Sequence, residues 1–197
     1  KKVIVISLIV LIILFLGAGY IYKSDQAKEL SANTQRNYSA LVRESSFILG
    51  NKDAKVELVE FFDPACETCA QMHPLVKDIM KKNNGNIKLV LRYAPFHEGS
   101  VDVVRMLEAT KKQAKFLEVL ELLFVTQKFW TVNHVVDLNK VWGILLTSKL
   151  LDMDKLVEDI QDAKTLKANK TPAYYVNGKP LQTFGLQNLI DLINSQM

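Results

Sequence analysis

Apolar residues fill positions 3–22 almost without a break. Val3 to Tyr22 is interrupted only by Ser7 and the small residues Gly17, Ala18 and Gly19. A helix of about 20 residues matches the hydrocarbon thickness of a bilayer, whereas a cleavable signal has an apolar region of about 7 to 15. The pattern therefore predicts an uncleaved transmembrane signal-anchor over 1–22, with a removed signal as the alternative. No polar face recurs at helical spacing, so a buried core helix fits poorly. Lys1 and Lys2 precede the span and leave the start of the chain in the cytoplasm by the positive-inside bias, and Lys23 weakens that asymmetry only slightly.

Positions 23–45 then turn polar without a sustained period and read as a tether, partly helical, outside the core. Folded-domain patterning begins near Ser46. Val56-Glu57-Leu58-Val59-Glu60-Phe61-Phe62 is a short run apolar on both faces, as in a central strand. A helical period opens at Cys66 and runs through Met72, Leu75, Val76 and Ile79 to Lys82, with Pro74 inside it to kink it. Ile87 to Tyr93 reads as a second strand. From about 97 to 167 the period becomes 3.6 and predicts a helical insert. Its apolar faces are Phe116, Leu117, Leu120, Leu123 and Phe124, then Leu138, Val141, Trp142, Leu145 and Leu146, then Leu156, Val157 and Ile160. Trp130 and Trp142 are expected in its core. Ala173 to Val176, the turn Asn177-Gly178 and Lys179 to Thr183 form a hairpin, because a type I′ turn needs positive φ at both centres. Leu186, Leu189, Ile190 and Ile193 line one face of a last helix. The fold class is α/β: one domain over 46–197, behind a single membrane helix.

Composition narrows the function classes. The net charge is only +4 and the lysines are scattered among acids, so no basic stripe suits a nucleic-acid backbone. Cys66 and Cys69 are the 2 cysteines present, so neither can join a scaffold disulfide except with the other. They follow a central strand at the start of a helix, where unpaired N–H groups and the helix dipole favour a thiolate. Cys66 is then the exposed nucleophile, and Cys69 is in reach to resolve a mixed disulfide. The competing chemistry is a copper or zinc metallochaperone using Cys66, Cys69 and His73, but a closed zinc site needs four ligands and the rest of that set is missing. His73 is otherwise an ordinary helix-surface residue, and His97 and His134 take loop or capping roles. No cofactor and no resident metal are expected.

Leu58 to Cys69, with Asp63-Pro64-Ala65-Cys66-Glu67-Thr68-Cys69 at its end, the later Thr171-Pro172-Ala173-Tyr174-Tyr175-Val176-Asn177-Gly178, and the helical block between them resemble the DsbA-like branch of the thioredoxin superfamily. The likeness covers roughly 46–197, and Pro74 matches a kinking proline of that superfamily. The resemblance implies a thioredoxin-like fold with a helical insertion, and thiol–disulfide exchange in which Cys66 attacks and Cys69 resolves. It implies a cis-proline at Pro172 with Thr171 before it; by residue type alone, Pro172 is an ordinary trans proline opening a strand. It implies that Glu60 is a buried acid beneath the active site that exchanges protons with Cys69, the alternative being a strand-edge glutamate reaching solvent. It also implies cysteine-containing protein substrates, a membrane redox partner for recycling, and a place on the bacterial inner (plasma) membrane with the domain in the periplasm or extracytoplasmic space. A monomer is expected. The dipeptide Glu67-Thr68 departs from the Pro-His of strongly oxidising relatives and predicts a more reducing pair.

Overall fold

The computed structural model describes residues 2–111, 114–132, 135–137 and 153–197. The expected positions Leu138, Val141, Trp142, Leu145, Leu146 and His134, and the side chains of Leu156 and Val157, lie outside the described residues.

Helix α1 runs unbroken over Lys2–Arg36, and its apolar side chains from Ile6 to Tyr22 are exposed, as a bilayer-spanning surface requires. It is long and apolar enough to cross a membrane. The stretch 23–45 is not a detached tether. The second half of α1 continues the helix, a 3-10 turn follows at Tyr38–Ala40, and Thr34, Ala40 and Leu41 are buried. The signal for this was a narrow stripe: Ala27, Leu30 and Thr34 recur at spacings of three and four and turn toward the domain. Asn33 Nδ2 donates to the Thr165 carbonyl at 2.8 Å, and Gln182 Nε2 donates to the Ala27 carbonyl at 3.2 Å.

The sheet is built on β2 (Val56–Phe62), flanked in parallel by β3 (Ile87–Tyr93) and in antiparallel by β6 (Ala173–Val176). A short β1 (Phe47–Leu49), which hydrophobic pattern alone did not separate, closes one edge, and β7 (Lys179–Pro180) closes the other, giving the order β1-β3-β2-β6-β7. The hairpin forms as expected, with φ of 46° at Asn177 and 78° at Gly178. Gly178 is required for a second reason. A Cβ there would stand 2.6 Å from the Tyr38 ring, which ties the segment after α1 onto the hairpin.

Alternation along β2 sorts its side chains onto two faces. Val56, Leu58 and Phe62 join the larger core with α2 (Glu67–Lys82), α3 (Ser100–Lys111) and α4 (Phe116–Trp130), while Val59 and Phe61 join a smaller one with Leu41, Ala163 and Leu166. In α4 Phe116, Leu120, Leu123 and Phe124 are buried as the pattern predicts, and Trp130 is core, its indole N–H donating to the Leu123 carbonyl at 3.0 Å. A two-stranded hairpin, β4 (Thr131–Val132) with β5 (Val135–Val136), interrupts the expected all-helical insert. Helices α5 (Met153–Thr165) and α6 (Leu186–Asn194) complete the layers.

The smaller core encloses a charge cluster. Arg92 on β3 is fully buried; Nε and Nη2 donate to Asp159 at 3.0 and 2.7 Å, Nη2 to Asp162 at 2.6 Å, and Nη1 to the carbonyls of Ala40 and Leu41 at 2.9 Å. Arg43 reaches Asp162 from the other side at 2.7 Å. A buried guanidinium is tolerable because nearly all its donors are used, and here they bind the segment after α1 to β3 and α5.

Candidate active site

Strand β2 ends at Phe62 and the chain turns through Asp63-Pro64-Ala65 into α2, with Cys66 as N-cap in extended conformation (φ −79°, ψ 116°). The turn is pinned by the buried Asp63 carboxylate. It accepts from the Ala65 N–H at 2.8 Å, the Ser100 hydroxyl at 2.6 Å, the N–H groups of Phe96 and His97 at 2.7 and 2.9 Å, and the His97 ring at 2.8 Å. Gln127 of α4 adds a bond to the Pro64 carbonyl at 2.7 Å. Sequence reasoning missed Asp63 and Ser100 because their partnership joins segments far apart in the chain. The readable signal was an acid placed between a central strand and a helix start.

Cys66 and Cys69 are both buried thiols, one helical turn apart. Cys66, expected to be exposed, is only 7% so, because the Thr171–Pro172 segment lies against its sulfur, and Cys69 is fully buried. Cys66 Sγ approaches the Thr171 carbonyl at 3.3 Å, and the Thr171–Pro172 peptide bond is cis, as the resemblance implied. The two thiols have opposite acidities. Hydrogen bonding from the Cys69 thiol, joined by the Thr171 side chain and the N–H groups of Cys69 and Thr68, outweighs burial and holds Cys66 down at about 6. Glu67, exposed on the first turn, is not among these main influences, so the repulsion expected from it does not dominate. Burial first, then the bond it donates to Cys66 and the nearby Glu60, pushes Cys69 well above the usual thiol range.

Glu60 shares the face of β2 that α2 covers, and only 1% of it is exposed. The solvent-reaching alternative is excluded. Burial pushes its carboxyl up to about 8, against a hydrogen bond from the Tyr174 hydroxyl at 3.3 Å, with the Cys66 thiolate pushing the same way as burial. Its Oε2 has no hydrogen-bond partner among the described residues.

His73 is a correction. It is not on the helix surface but 3% exposed, tilted against the Phe124 ring at 5.3 Å, with Glu121 3.7 Å from Nε2 and neither ring nitrogen hydrogen-bonded. Helix α4 lies across α2 at this point and covers it. Burial holds the imidazole below its usual value. Among the described residues, no three His, Cys, Asp or Glu side chains gather as a metal site.

The profile of the thioredoxin family, described as Thioredoxin, matches residues 43–193. Among curated proteins, the chain is 26% identical over 145 residues to a Na(+)/H(+) antiporter NhaA of Herminiimonas arsenicoxydans, covering 71% of this chain and 23% of that protein. It is 23% identical over 163 residues to a Rickettsia bellii protein described as a candidate protein-disulfide oxidoreductase, covering 75% of this chain and 63% of that one. The chain thus spans less than two thirds of the length of these relatives. Among solved structures, a linker-deleted variant of Proteus mirabilis ScsC superposes with a TM-score of 0.73 at 21% identity, over 89% of this chain and 86% of that one. Wolbachia pipientis alpha-DsbA1 does so with a TM-score of 0.66 at 17% identity, over 81% and 94%. These two share the fold. The family match takes in the cysteine pair, Glu60 and the cis-proline together, and the chain belongs to the thioredoxin family.

Proposed function

We propose that the chain is a thiol–disulfide oxidoreductase acting on cysteine-containing proteins outside the bacterial plasma membrane, held there by α1 as a single-pass anchor. The observation that carries this reading is the arrangement of two adjacent thiols. Cys66 caps α2 with its Sγ 3.3 Å from the Thr171 carbonyl at the cis Thr171–Pro172 bond, and Cys69 is fully buried one turn behind it. These surroundings lower the first thiol's pKa and raise the second's. At neutral pH the first is a thiolate and the second keeps its proton. The Cys66 thiolate attacks one sulfur of a substrate disulfide, forming a mixed disulfide and releasing the other sulfur as a thiolate. Cys69, deprotonated, attacks Cys66 Sγ, frees the second substrate thiol and leaves the Cys66–Cys69 disulfide. Run backwards, the same steps oxidise a substrate dithiol. Glu60, with a carboxyl near 8, takes or returns the Cys69 proton in this scheme. Thr171 and Pro172 present backbone groups to the substrate strand.

A Cys66 thiol near 6 lies between the values of about 7 for thioredoxin and about 3.5 for the strongly oxidising DsbA. A more stable thiolate makes a stronger oxidant, so the pair is read as intermediate and weaker than DsbA. A membrane redox protein recycles it, and the chain acts as a monomer. Redox equilibrium against glutathione, with Cys66→Ser and Cys69→Ser as controls, tests the reading. Exchange lost in both variants and client proteins trapped on Cys66 in Cys69→Ser are the expected results; a pair that never exchanges overturns the proposal. Alkylation of the pair inside cells reads the direction, mostly disulfide for an oxidase and mostly dithiol for a reductase or isomerase.

A further inference from the structure

Where the membrane helix meets the domain, the structure has a cavity of about 670 Å³ lined by Lys23, Gln26 and Leu30 of α1 and by Lys167, Gln182 and Phe184 of the domain. Its height above the bilayer follows from helix geometry. The apolar run ends at Tyr22, and at about 1.5 Å per residue Leu30 stands only about 12 Å beyond it. The headgroup layer on each side of a bilayer is roughly 5 to 8 Å thick. The cavity therefore begins inside that layer and opens just above it.

The domain side of the cavity cannot lie elsewhere, because it is fastened to this stretch of α1. Lys167 pairs with Glu29 at 2.7 Å, Asn33 holds the Thr165 carbonyl at 2.8 Å, and Gln182 bonds Ala27 and Ser31 at 3.2 and 3.1 Å. Two lysines far apart in the sequence, Lys23 of α1 and Lys167, line this cavity, and Lys167 is flanked in the chain by further exposed lysines. Lys164, Lys167 and Lys170 follow one another at intervals of three at the end of α5 and just beyond it, all exposed. Glu29 is the acid on that wall. Phe184, 52% exposed, supplies an aromatic ring at the same level, and Tyr20 and Tyr22 are exposed on α1 just below. Cations over a ring-rich boundary at headgroup height are the features that attract anionic lipid.

We propose that this junction binds the headgroup of an anionic phospholipid, its phosphate between Lys23 and Lys167, so that the turn 164–170 and Phe184 rest on the bilayer. The inference depends on α1 being a membrane span. It has a consequence for the redox pair. Thr171, whose carbonyl meets Cys66 Sγ at 3.3 Å, directly follows Lys170, so a docked turn keeps the cysteines close to the membrane surface.

The test uses the full chain reconstituted in vesicles of phosphatidylcholine alone or mixed with phosphatidylglycerol, with amide hydrogen exchange as the readout. Exchange over 164–170 and 182–184 should be about tenfold slower with phosphatidylglycerol, and this protection should vanish in Lys164→Gln/Lys167→Gln/Lys170→Gln and, for the unaltered chain, at high salt. Equal exchange in the two vesicle types overturns the proposal, as does protection that survives salt in the unaltered chain. Protection reproduced by inorganic phosphate over phosphatidylcholine alone assigns the site to free phosphate and overturns the lipid. An alkaline carbonate wash separates this from the anchor: a chain that sediments with both vesicle types but shows no lipid dependence loses only this inference, and one that washes off loses the span and the docking together.

Discussion

Glu60 on β2 stands directly opposite Tyr174 on β6, and the Tyr174 hydroxyl donates to its Oε1 at 3.3 Å, one weak bond for a carboxyl with no access to water. A carboxyl near 8 in the folded protein and near 4.5 in the unfolded chain binds its proton more tightly when folded. Its contribution to stability is therefore fully present below pH 4.5 and is lost as pH rises through 8. At about 1.4 kcal/mol per pH unit the full swing is on the order of 5 kcal/mol. In a Cys66→Ser/Cys69→Ser background, which removes the titrating thiols, urea unfolding should show stability falling between pH 5 and 8, and Glu60→Gln should flatten that slope. An unchanged slope in Glu60→Gln would assign the pH dependence to another group.

The acidity of Cys66 depends first on the thiol one turn along the helix. With a value of about 6, its thiolate fraction is about 90% at pH 7 and about 10% at pH 5, so alkylation by iodoacetamide should slow roughly tenfold between them. Cys69→Ala removes the leading hydrogen bond and should move the midpoint of this profile upward. Cys69→Ser keeps a donor and should move it less. A midpoint that stays near 6 in Cys69→Ala would show that the backbone N–H groups of α2, and not the second thiol, hold the charge.

Arg92 joins three parts of the chain at one point, and its removal strands the carboxylates gathered around it. Arg92→Met leaves Asp159 buried without its guanidinium and should cost about 3 to 5 kcal/mol in urea unfolding, while Arg92→Met/Asp159→Asn should recover part of the loss. Equal losses in the single and double variants would mean that the bonds to the Ala40 and Leu41 carbonyls, not the ion pair, carry the effect.

What could be read in advance was whatever is written in neighbouring residues. The strand before Cys66, the helix it opens, the I′ turn at Asn177-Gly178 and the apolar face of α4 each follow from a period or a local φ requirement. The cis bond before Pro172 was reached only through resemblance, since no local rule demands it. Three features went unread because their causes are distant in sequence. The stretch 23–45 looked like a tether until α1 was seen to have Lys167 and Gln182 as partners. Arg92 carried no signal of its own inside the strand run, because its partners Asp159 and Asp162, within 3.0 Å of it, lie more than 60 residues away. His73 looked exposed because a polar residue on a polar-rich helix gives no hint that a second helix will cross over it.

His73 yields the last prediction. Its ring nitrogens are buried without hydrogen bonds, and Glu121, which also pairs with Lys77, stands 3.7 Å from Nε2, with Asp78 lining the same cavity as His73. Burial keeps the imidazole neutral, so its value in the folded protein lies below the usual 6.5. The sign follows: folding must hold the ring uncharged, and the stability this contributes is present above pH 6.5 and declines as pH falls through the lowered value. His73→Phe, which packs against Phe124 and has no polar atoms to desolvate, should gain about 1 to 3 kcal/mol at neutral pH and widen that gain at pH 5. Thermal unfolding of both proteins at the two pH values measures this. A gain that shrinks at pH 5 would mean that Glu121 closes the gap and pairs with a protonated His73, which makes the residue an acid-stabilised contact instead of an acid-labile one.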